Sequence, residues 1–334
     1  MKKNMFSVLL LGAIMVMTTA CDKNEKDSTV IIYNSNLSVS FGMSTQPDTK
    51  AYLVGTLFTQ PSQLGLYITR ENKAVTGSAT ADNDYMGNAW NRNVLCNGAQ
   101  NTWTLNPQVN LSSDIADIYA YFPYAGDLVN PTQIPVSADY NDAKTSSSID
   151  YMYATRSKAS KTNPIVKIVM NHAQTRVRVY INKKDYSNNG DFTKSLGSQI
   201  TFSAQITDLF KTGTMNINNG DITGIQKGTY EGDCLVPRIG EKGQGAMMVC
   251  DFMALPYDGK GNSDMKMVTE IDNILYTFNM PKNTKWERGK IYNYTFLLDG
   301  TSMKLPDVDK DGNPINPVVI TDWIGENIDG GTLQ

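Results

Sequence analysis

LSVSFGM, residues 37–43, alternates apolar side chains with small or polar ones. This two-residue period predicts a β-strand whose apolar face carries Leu37, Val39, Phe41 and Met43. No long stretch of the chain carries apolar residues at helical spacing. Similar short runs recur instead, namely LGLYIT at 64–69, IADIYAYF at 115–122, PIVKIVM at 164–170, TRVRVYI at 175–181, KIYNYTFLL at 290–298 and PVVITDWI at 317–324. The sequence therefore predicts an all-β protein of β-sandwich architecture.

The length of 334 residues allows about two domains of ~150 residues each. A polar segment rich in Ser and Thr, residues 141–163, precedes two strong strand runs. We therefore predict two β-sandwich domains of comparable size, residues 37–163 and residues 164–334.

The first 21 residues, MKKNMFSVLLLGAIMVMTTAC, have the layout of a secretory signal. Two lysines precede an apolar run that is shorter than the ~20 residues of a membrane span. Small residues then lead to Cys21, so residues 1–20 resemble a bacterial lipoprotein signal with Cys21 as the acylated first mature residue. An ordinary signal with an incidental cysteine is the alternative. Residues 21–36 open with the charged stretch CDKNEKDS and are predicted to be a flexible tether.

Charge and composition exclude several classes of function. The net charge is −3, and the signal removes two lysines and no acidic residue, so the mature chain carries −5. This balance provides no basic patch for nucleic acid. His172 is the only histidine, which limits the chain to one histidine-dependent catalytic site. A structural role for His172 at a domain junction is favoured, and we predict neither an enzyme nor a cofactor.

Two further sequence patterns give only weak indications, one of a calcium site and one of a disulfide bond. Asp307, Asp309 and Asp311 precede Gly312 like the first half of a calcium loop, but the twelfth position falls on Val318, which lacks a ligating side chain. A turn is therefore favoured, and no metal is predicted. The remaining cysteines match no metal-binding spacing, and whether any of them forms a disulfide stays open; these are Cys96, Cys234 and Cys250.

The aromatic run YAYFPY, residues 119–124, allows two interpretations. Its alternation places Tyr119 and Tyr121 on one face of a strand, for which aromatic residues are well suited. The same rings could form a sugar-stacking platform. The second interpretation supports an alternative function, a surface glycan-binding lipoprotein without catalytic activity.

Several phrases in their order resemble the fimbrillin family, the subunits of Bacteroidetes type V pili. They are the lipoprotein start, LSVSFGM, DIYAYFPYAG at 117–126, IDYMYA at 149–154, NHAQTRVRVYI at 171–181, KWERGKIYNYTFLL at 285–298 and VVITDWI at 318–324. The resemblance spans nearly the whole chain. It implies two tandem transthyretin-like β-sandwich domains, a lipidated precursor carried to the outer membrane, and assembly into a cell-surface fimbrium that serves adhesion.

The resemblance also implies how such subunits join. A trypsin-like protease removes the first strand, Leu37 to Met43, after an Arg or Lys. The resulting groove accepts a C-terminal strand of the next pilin subunit. The Pro-containing loop STQPDTK suits proteolysis and places the candidate cut between Lys50 and Ala51, with Arg70–Glu71 and Lys73–Ala74 as weaker candidates.

The predicted donor strand is the apolar run that closes the chain, Val318, Val319, Ile320, Trp323 and Ile324. An ordinary last strand of the C-terminal domain has the same pattern, so both readings stay open. The resemblance adds a receptor on a host or bacterial surface as a further partner.

Overall fold

The computed structural model describes residues 35–44, 53–54, 58, 61–78, 80–100, 102–138, 140–141, 147–148, 150–183, 203–233, 247–258, 265–271, 274–281, 284–299, 302–305 and 318–323. The all-β prediction is confirmed, because only two single turns of 3₁₀ helix, Tyr85–Gly87 and Ala89–Asn91, accompany the strands in these ranges. No helix within them is long and apolar enough to cross a membrane.

The strands are numbered in chain order. The first twelve are β1 Ser35–Asn36, β2 Ser38–Ser44, β3 Leu53–Val54, β4 Ser62–Arg70, β5 Val94–Ala99, β6 Thr102–Asn106, β7 Asn110–Leu111, β8 Ala116–Phe122, β9 Ile134–Ser137, β10 Tyr140–Asn141, β11 Ser147–Ser148 and β12 Met152–Ala154. The others are β13 Ser157–Ala159, β14 Ile165–His172, β15 Thr175–Lys183, β16 Ser203–Met215, β17 Ile222–Asp233, β18 Met247–Ala254, β19 Lys266–Ile271, β20 Ile274–Asn279, β21 Lys290–Asp299, β22 Ser302–Lys304 and β23 Val318–Asp322.

A nine-stranded sheet contains the first strands, in the order β3-β2-β14-β12-β8-β4-β5-β6, with β13 paired to β8. The sheet folds over a first core, because the ring of Phe41 on β2 lies 4.7 Å from the ring of Trp103 on β6, near the other end of the strand order. Side chains that alternate along each strand fill this core, and they include Leu37, Val39, Leu64, Leu66, Ile118 and Ile168. The β-sandwich prediction is confirmed.

Two five-stranded sheets surround a second core. Their orders are β18-β15-β21-β22, with β23 paired to β21, and β17-β16-β19-β20, with β9 paired to β16. Buried aromatic residues dominate this core, among them Tyr257, Trp286, Tyr292, Tyr294 and Phe296. Two two-stranded pairs, β1-β7 and β10-β11, complete the described strands.

β8 is buried on both faces and belongs to both cores. Ile118 and Ala120 lie in the first core, whereas Tyr119 and Tyr121 lie in the second. Gly65 on β4 pairs with Tyr121, and a Cβ atom at Gly65 would lie 1.9 Å from Tyr121 Cε1. Glycine is therefore required at position 65 to let the tyrosine ring cross the strand.

The division of the chain into two domains stays a prediction, but strand pairing bears on its boundary. β14 begins after the predicted boundary at 163/164 and yet pairs with β2 and β12 in the nine-stranded sheet. A boundary at residues 173–174, between β14 and β15, would keep β14 with its sheet partners, and we favour it for that reason.

Candidate functional site

The first strand, β2, docks through a buried apolar face. Leu37, Val39 and Phe41 are buried in the first core. β2 runs parallel to β14, in a register that pairs Val39 with Val166 and places Met43 opposite Met170. Burial of each apolar side chain of this size contributes ~1.5–3 kcal/mol to the attachment of the strand.

Backbone hydrogen bonds fix where β2 begins. The Leu37 amide donates to the Val109 carbonyl, and the Ser38 amide donates to the Pro164 carbonyl, both at 2.9 Å. The side-chain amide of Gln108 donates to the Leu37 carbonyl at 3.1 Å. The first strand is therefore held on both sides at its start and not only by its side chains.

An aromatic cluster surrounds the deepest side chain of β2. The ring of Phe41 meets Trp103 and Phe58 edge to face, with centroids 4.7 Å and 6.1 Å away. Phe58 in turn packs against Phe122 at 5.0 Å. Pairs of this geometry contribute about 0.5–1.5 kcal/mol beyond simple burial. If β2 left the sheet, Phe41 would leave with it, and the rings of Trp103 and Phe58 would line an apolar groove beside the unpaired edge of β14.

The terminal strand, β23, is attached in a different way. It pairs antiparallel with β21, from Lys290 opposite Asp322 to Tyr294 opposite Val318, and β21 is its only strand partner within the described ranges. The apolar side chains of Val319 and Ile320 are 49% and 55% exposed. An edge strand with exposed apolar side chains is a surface that another chain can pair with.

Trp323, directly after β23, is the buried anchor of the terminal strand. Its ring is only 4% exposed and stacks on the imidazole of His172, with centroids 3.6 Å apart and the planes 7° from parallel. The guanidinium of Arg176 lies 5.9 Å from the indole centroid, within cation–π range. The Trp323 amide donates to the Gly289 carbonyl at 2.9 Å.

His172 also faces a buried carboxylate. Nδ1 lies 2.7 Å from Oδ2 of Asp150, and both side chains are almost fully buried. The ring is turned so that neither imidazole nitrogen has a partner with hydrogen-bond geometry among the described residues. The carboxylate of Asp150 and the stacked indole of Trp323 therefore define the surroundings of the ring.

A search with family profiles matches the fimbrillin-like family over residues 49–323, most of the chain. The chain belongs to the fimbrillin-like family. No curated protein matches it significantly. The family resemblance inferred from the order of its strand phrases is thereby confirmed.

Solved structures similar to this fimbrillin-like protein share its fold. A candidate cell adhesion protein of Bacteroides uniformis matches with a TM-score of 0.57 and 16% identity, over 86% of this chain and 99% of its own. A candidate cell adhesion protein of Bacteroides ovatus matches with a TM-score of 0.59 and 14% identity, over 87% of this chain and 98% of its own. At these identities the likeness concerns the fold alone.

Several predicted site residues of the fimbrillin-like chain lie outside the described residues. They are Cys21 with the signal and most of the tether, the cut at Lys50–Ala51, Cys234, Asp307 to Asp311, and Ile324. Among the described residues, no group of three or more His, Cys, Asp or Glu could hold a metal ion. The lipidation, processing and donor-strand assignments stay predictions.

The two weaker processing candidates lie in a hydrogen-bonded turn. Arg70 is the last residue of β4, and its amide donates to the Asn83 carbonyl at 2.9 Å. The Lys73 carbonyl accepts the hydroxyls of Thr69 at 2.8 Å and Tyr119 at 3.1 Å. This turn is therefore a poorer substrate than a segment without such hydrogen bonds, and cleavage after Lys50 stays a prediction.

The aromatic run of the fimbrillin-like protein is structural. Tyr119 and Tyr121 share a face as predicted, but both are buried, so the sugar-platform interpretation is wrong for these two rings. The Tyr121 hydroxyl donates to Oδ1 of Asn93 at 2.7 Å and accepts the Ala125 amide at 3.1 Å. Burial also raises the pKa of Tyr121 above its usual value.

Tyr121→Phe should therefore lower the free energy of unfolding by about 1–3 kcal/mol, because Asn93 and Ala125 lose a buried partner. Urea unfolding measures this. Tyr257→Phe is the matched control: Tyr257 is buried in the same core, and its hydroxyl has no hydrogen-bond partner among the described residues. An equal cost for both substitutions would show that the bonds of the Tyr121 hydroxyl contribute nothing.

Cys96 is buried in the first core as a free thiol, and burial raises its pKa to about 12. A thiol that stays protonated at neutral pH behaves as a small apolar side chain.

The contacts of His172 with Trp323 and with Asp150 were not predicted from sequence. These residues are far apart in the chain, and no periodic pattern links a histidine at the end of one strand to a tryptophan after another.

Proposed function

We propose that this protein is a structural subunit of a cell-surface pilus, assembled by protease-triggered strand exchange and active in adhesion. The observation that carries the proposal is the docking of β2, whose buried face completes the first core in register with β14. Membership in the fimbrillin-like family supports a pilus or adhesion subunit with cell-surface exposure. The decisive test is whether cleavage after Lys50 turns a monomer into a polymer.

In the proposed mechanism the first strand is a temporary occupant of its own groove. From Ile165 to Val169, β14 has β2 as its only sheet neighbour among the described strands. Loss of β2 therefore exposes unpaired backbone groups together with an apolar surface lined by Phe58 and Trp103. Such a groove binds an extended strand through main-chain hydrogen bonds and alternate side-chain pockets.

We infer that the occupant is the terminal segment of a second copy, Val318 to Ile324. Val319 and Ile320 are already exposed on the surface of the subunit, on opposite faces of the strand. While the chain is intact, β2 is tethered beside its groove and outcompetes any incoming strand. Cleavage removes this advantage because the cut segment can diffuse away.

We assign the chain no catalytic role. The side chain of His172, the only histidine, is 2% exposed. The stacked indole of Trp323 covers one face of its ring. A catalytic histidine must reach its substrate, which this position does not allow while the terminal strand is docked.

Cys21→Ala should release the protein from the outer membrane or block its processing, because the proposed anchor is a lipid on that side chain. Partitioning between the membrane and soluble fractions measures this, and most of the protein should change fraction. Cys96→Ala is the control and should leave partitioning unchanged, since Cys96 is buried in the core. Membrane partitioning that survives Cys21→Ala would contradict the anchor.

A further inference from the structure

We propose that β14 couples the first strand to the terminal strand, so that loss of β2 loosens the seat of Trp323 and frees β23 for donation. The proposal rests on the proposed function only because it takes removal of β2 as the trigger. β14 contacts both segments that move: it pairs with β2 along its length, and its last residue contacts Trp323.

The first step is the dependence of β14 on β2. Six consecutive residue pairs join the two strands, from Ile165 opposite Ser38 to Met170 opposite Met43. The other neighbour of β14 is β12, which pairs with it at only three positions, Met152 to Ala154. Without β2, residues 165–169 of β14 lose their only sheet neighbour among the described strands, and local opening is easiest where backbone pairs are few.

The second step is the position of His172 at the end of β14. Its backbone pairs with Met152, the last contact of β14 with the sheet. Its imidazole has no directed hydrogen bond to a described residue, so strand pairing and the contact with Asp150 hold the ring in place. Loosening β14 therefore moves the surface on which Trp323 stacks.

The third step is the dependence of the terminal strand on Trp323. The side chains from Val319 to Asp322 are exposed, and Trp323 is the buried one that follows them. The indole is held by His172, Arg176 and a small apolar cluster with Met253 and Ile291. Because the strand has a single fully buried anchor, disturbing one face of that anchor weakens the docking of the whole segment.

The coupling gives assembly an order. A subunit with its first strand in place keeps its terminal strand docked and presents neither a groove nor a donor. Removal of the first strand opens the groove and releases the donor in the same molecule. Coupling of this kind is reciprocal, so loss of Trp323 should also loosen β2.

Amide hydrogen exchange of the uncleaved mature chain tests the coupling. Val39→Ala weakens β2 without removing it, and Val94→Ala is the matched control on β5, which pairs with β4 and β6 and not with β14 or β23. Val39→Ala should speed exchange of the amides of residues 318–323 by roughly tenfold, within the usual range of coupling between sites. Val94→Ala should change it less than about twofold.

The variant His172→Gln tests whether the coupling between β2 and the terminal strand passes through the imidazole ring. This variant alone should speed exchange in residues 318–323, and adding Val39→Ala to it should have less than about a twofold further effect, because the connecting ring is gone. Phe41→Leu is the milder substitution on β2 if Val39→Ala does not fold.

Two results would overturn the coupling. One is faster exchange in β14 with no change in residues 318–323 after Val39→Ala. The other is an equal effect of Val39→Ala and Val94→Ala, which would indicate a general loss of stability. Neither result bears on strand exchange itself, which is decided separately by whether the cleaved protein polymerises.

Discussion

Cleavage of the soluble precursor after Lys50 should convert monomers into head-to-tail polymers whose subunits begin at Ala51. Limited trypsin treatment provides the cut, and size-exclusion chromatography with N-terminal sequencing measures the product. The reason is that cleavage changes the competition between β2 and a neighbour's terminal strand for the groove. Before the cut, β2 is held beside β14 by the chain and rebinds at high effective concentration. After the cut, a neighbour's strand competes with a segment that leaves.

The architecture of the product follows from the two surfaces. A groove on one subunit and a terminal strand on the next form a heterologous contact, which does not close on itself and therefore produces a fibre. Lys50→Gln should stay monomeric under the same treatment because the preferred bond is lost. Deletion of residues 318–334 should remove the donor while leaving a groove that can cap one intact partner.

The substitution Trp323→Asp is a further test of strand exchange in the same cleavage experiment. The substitution puts an unpaired carboxylate where the buried indole stacks on His172, so the terminal strand should lose its seat and assembly should weaken more than the first core does. Cleaved protein that stays monomeric at high concentration, or fibres made by the tail-deleted form, would contradict strand exchange. Glycan binding would then become the leading hypothesis, with Trp90, which is 74% exposed, as its aromatic candidate.

Phe41→Ala should lower the free energy of unfolding by about 3–5 kcal/mol, the usual range for removing a buried Phe ring. The substitution takes away a ring that contacts both Trp103 and Phe58 and leaves a cavity where β2 meets β6. Urea denaturation followed by circular dichroism measures the change.

Ile165→Ala is the matched control for Phe41→Ala. Ile165 lies on β14, the partner of β2, but is 72% exposed, so its truncation should change stability by less than about 0.5 kcal/mol. Similar small effects for both substitutions would show that Phe41 does not anchor the first strand, and the groove mechanism would lose its physical basis.

The local elements could be predicted from sequence, since each rests on a pattern read within a few residues. The alternation of Leu37, Val39 and Phe41 identified the buried face of the first strand, and that of Tyr119 and Tyr121 identified a shared face. Which surface covers a face depends on distant strands. For this reason the sequence also allowed the interpretation that the face of β8 with Tyr119 and Tyr121 is exposed to solvent. In the structure the second core buries that face.

Contacts between strands that are far apart in the sequence account for the other differences between the sequence-based predictions and the structure. A polar stretch before Ile165 indicated a boundary, but β14 pairs with β2, which precedes that stretch, and with β12, which lies within it, so sequence patterning could not assign the strand to its sheet. The socket for Trp323 includes the ring of His172, the last residue of β14, and that ring in turn contacts Asp150. Neither residue belongs to an apolar pattern, and only the folded arrangement brings His172 to the indole.

The parallel direction of β2 along β14 has a geometric consequence for a filament. β2 enters its position next to Pro164 and leaves it next to Met170. A replacement strand that keeps this direction has the globular body of its own molecule at the Pro164 end of the groove, whereas an antiparallel replacement has it at the Met170 end. In the proposed strand-exchange filament, the polarity of one short strand thus determines which pole of a subunit faces its neighbour.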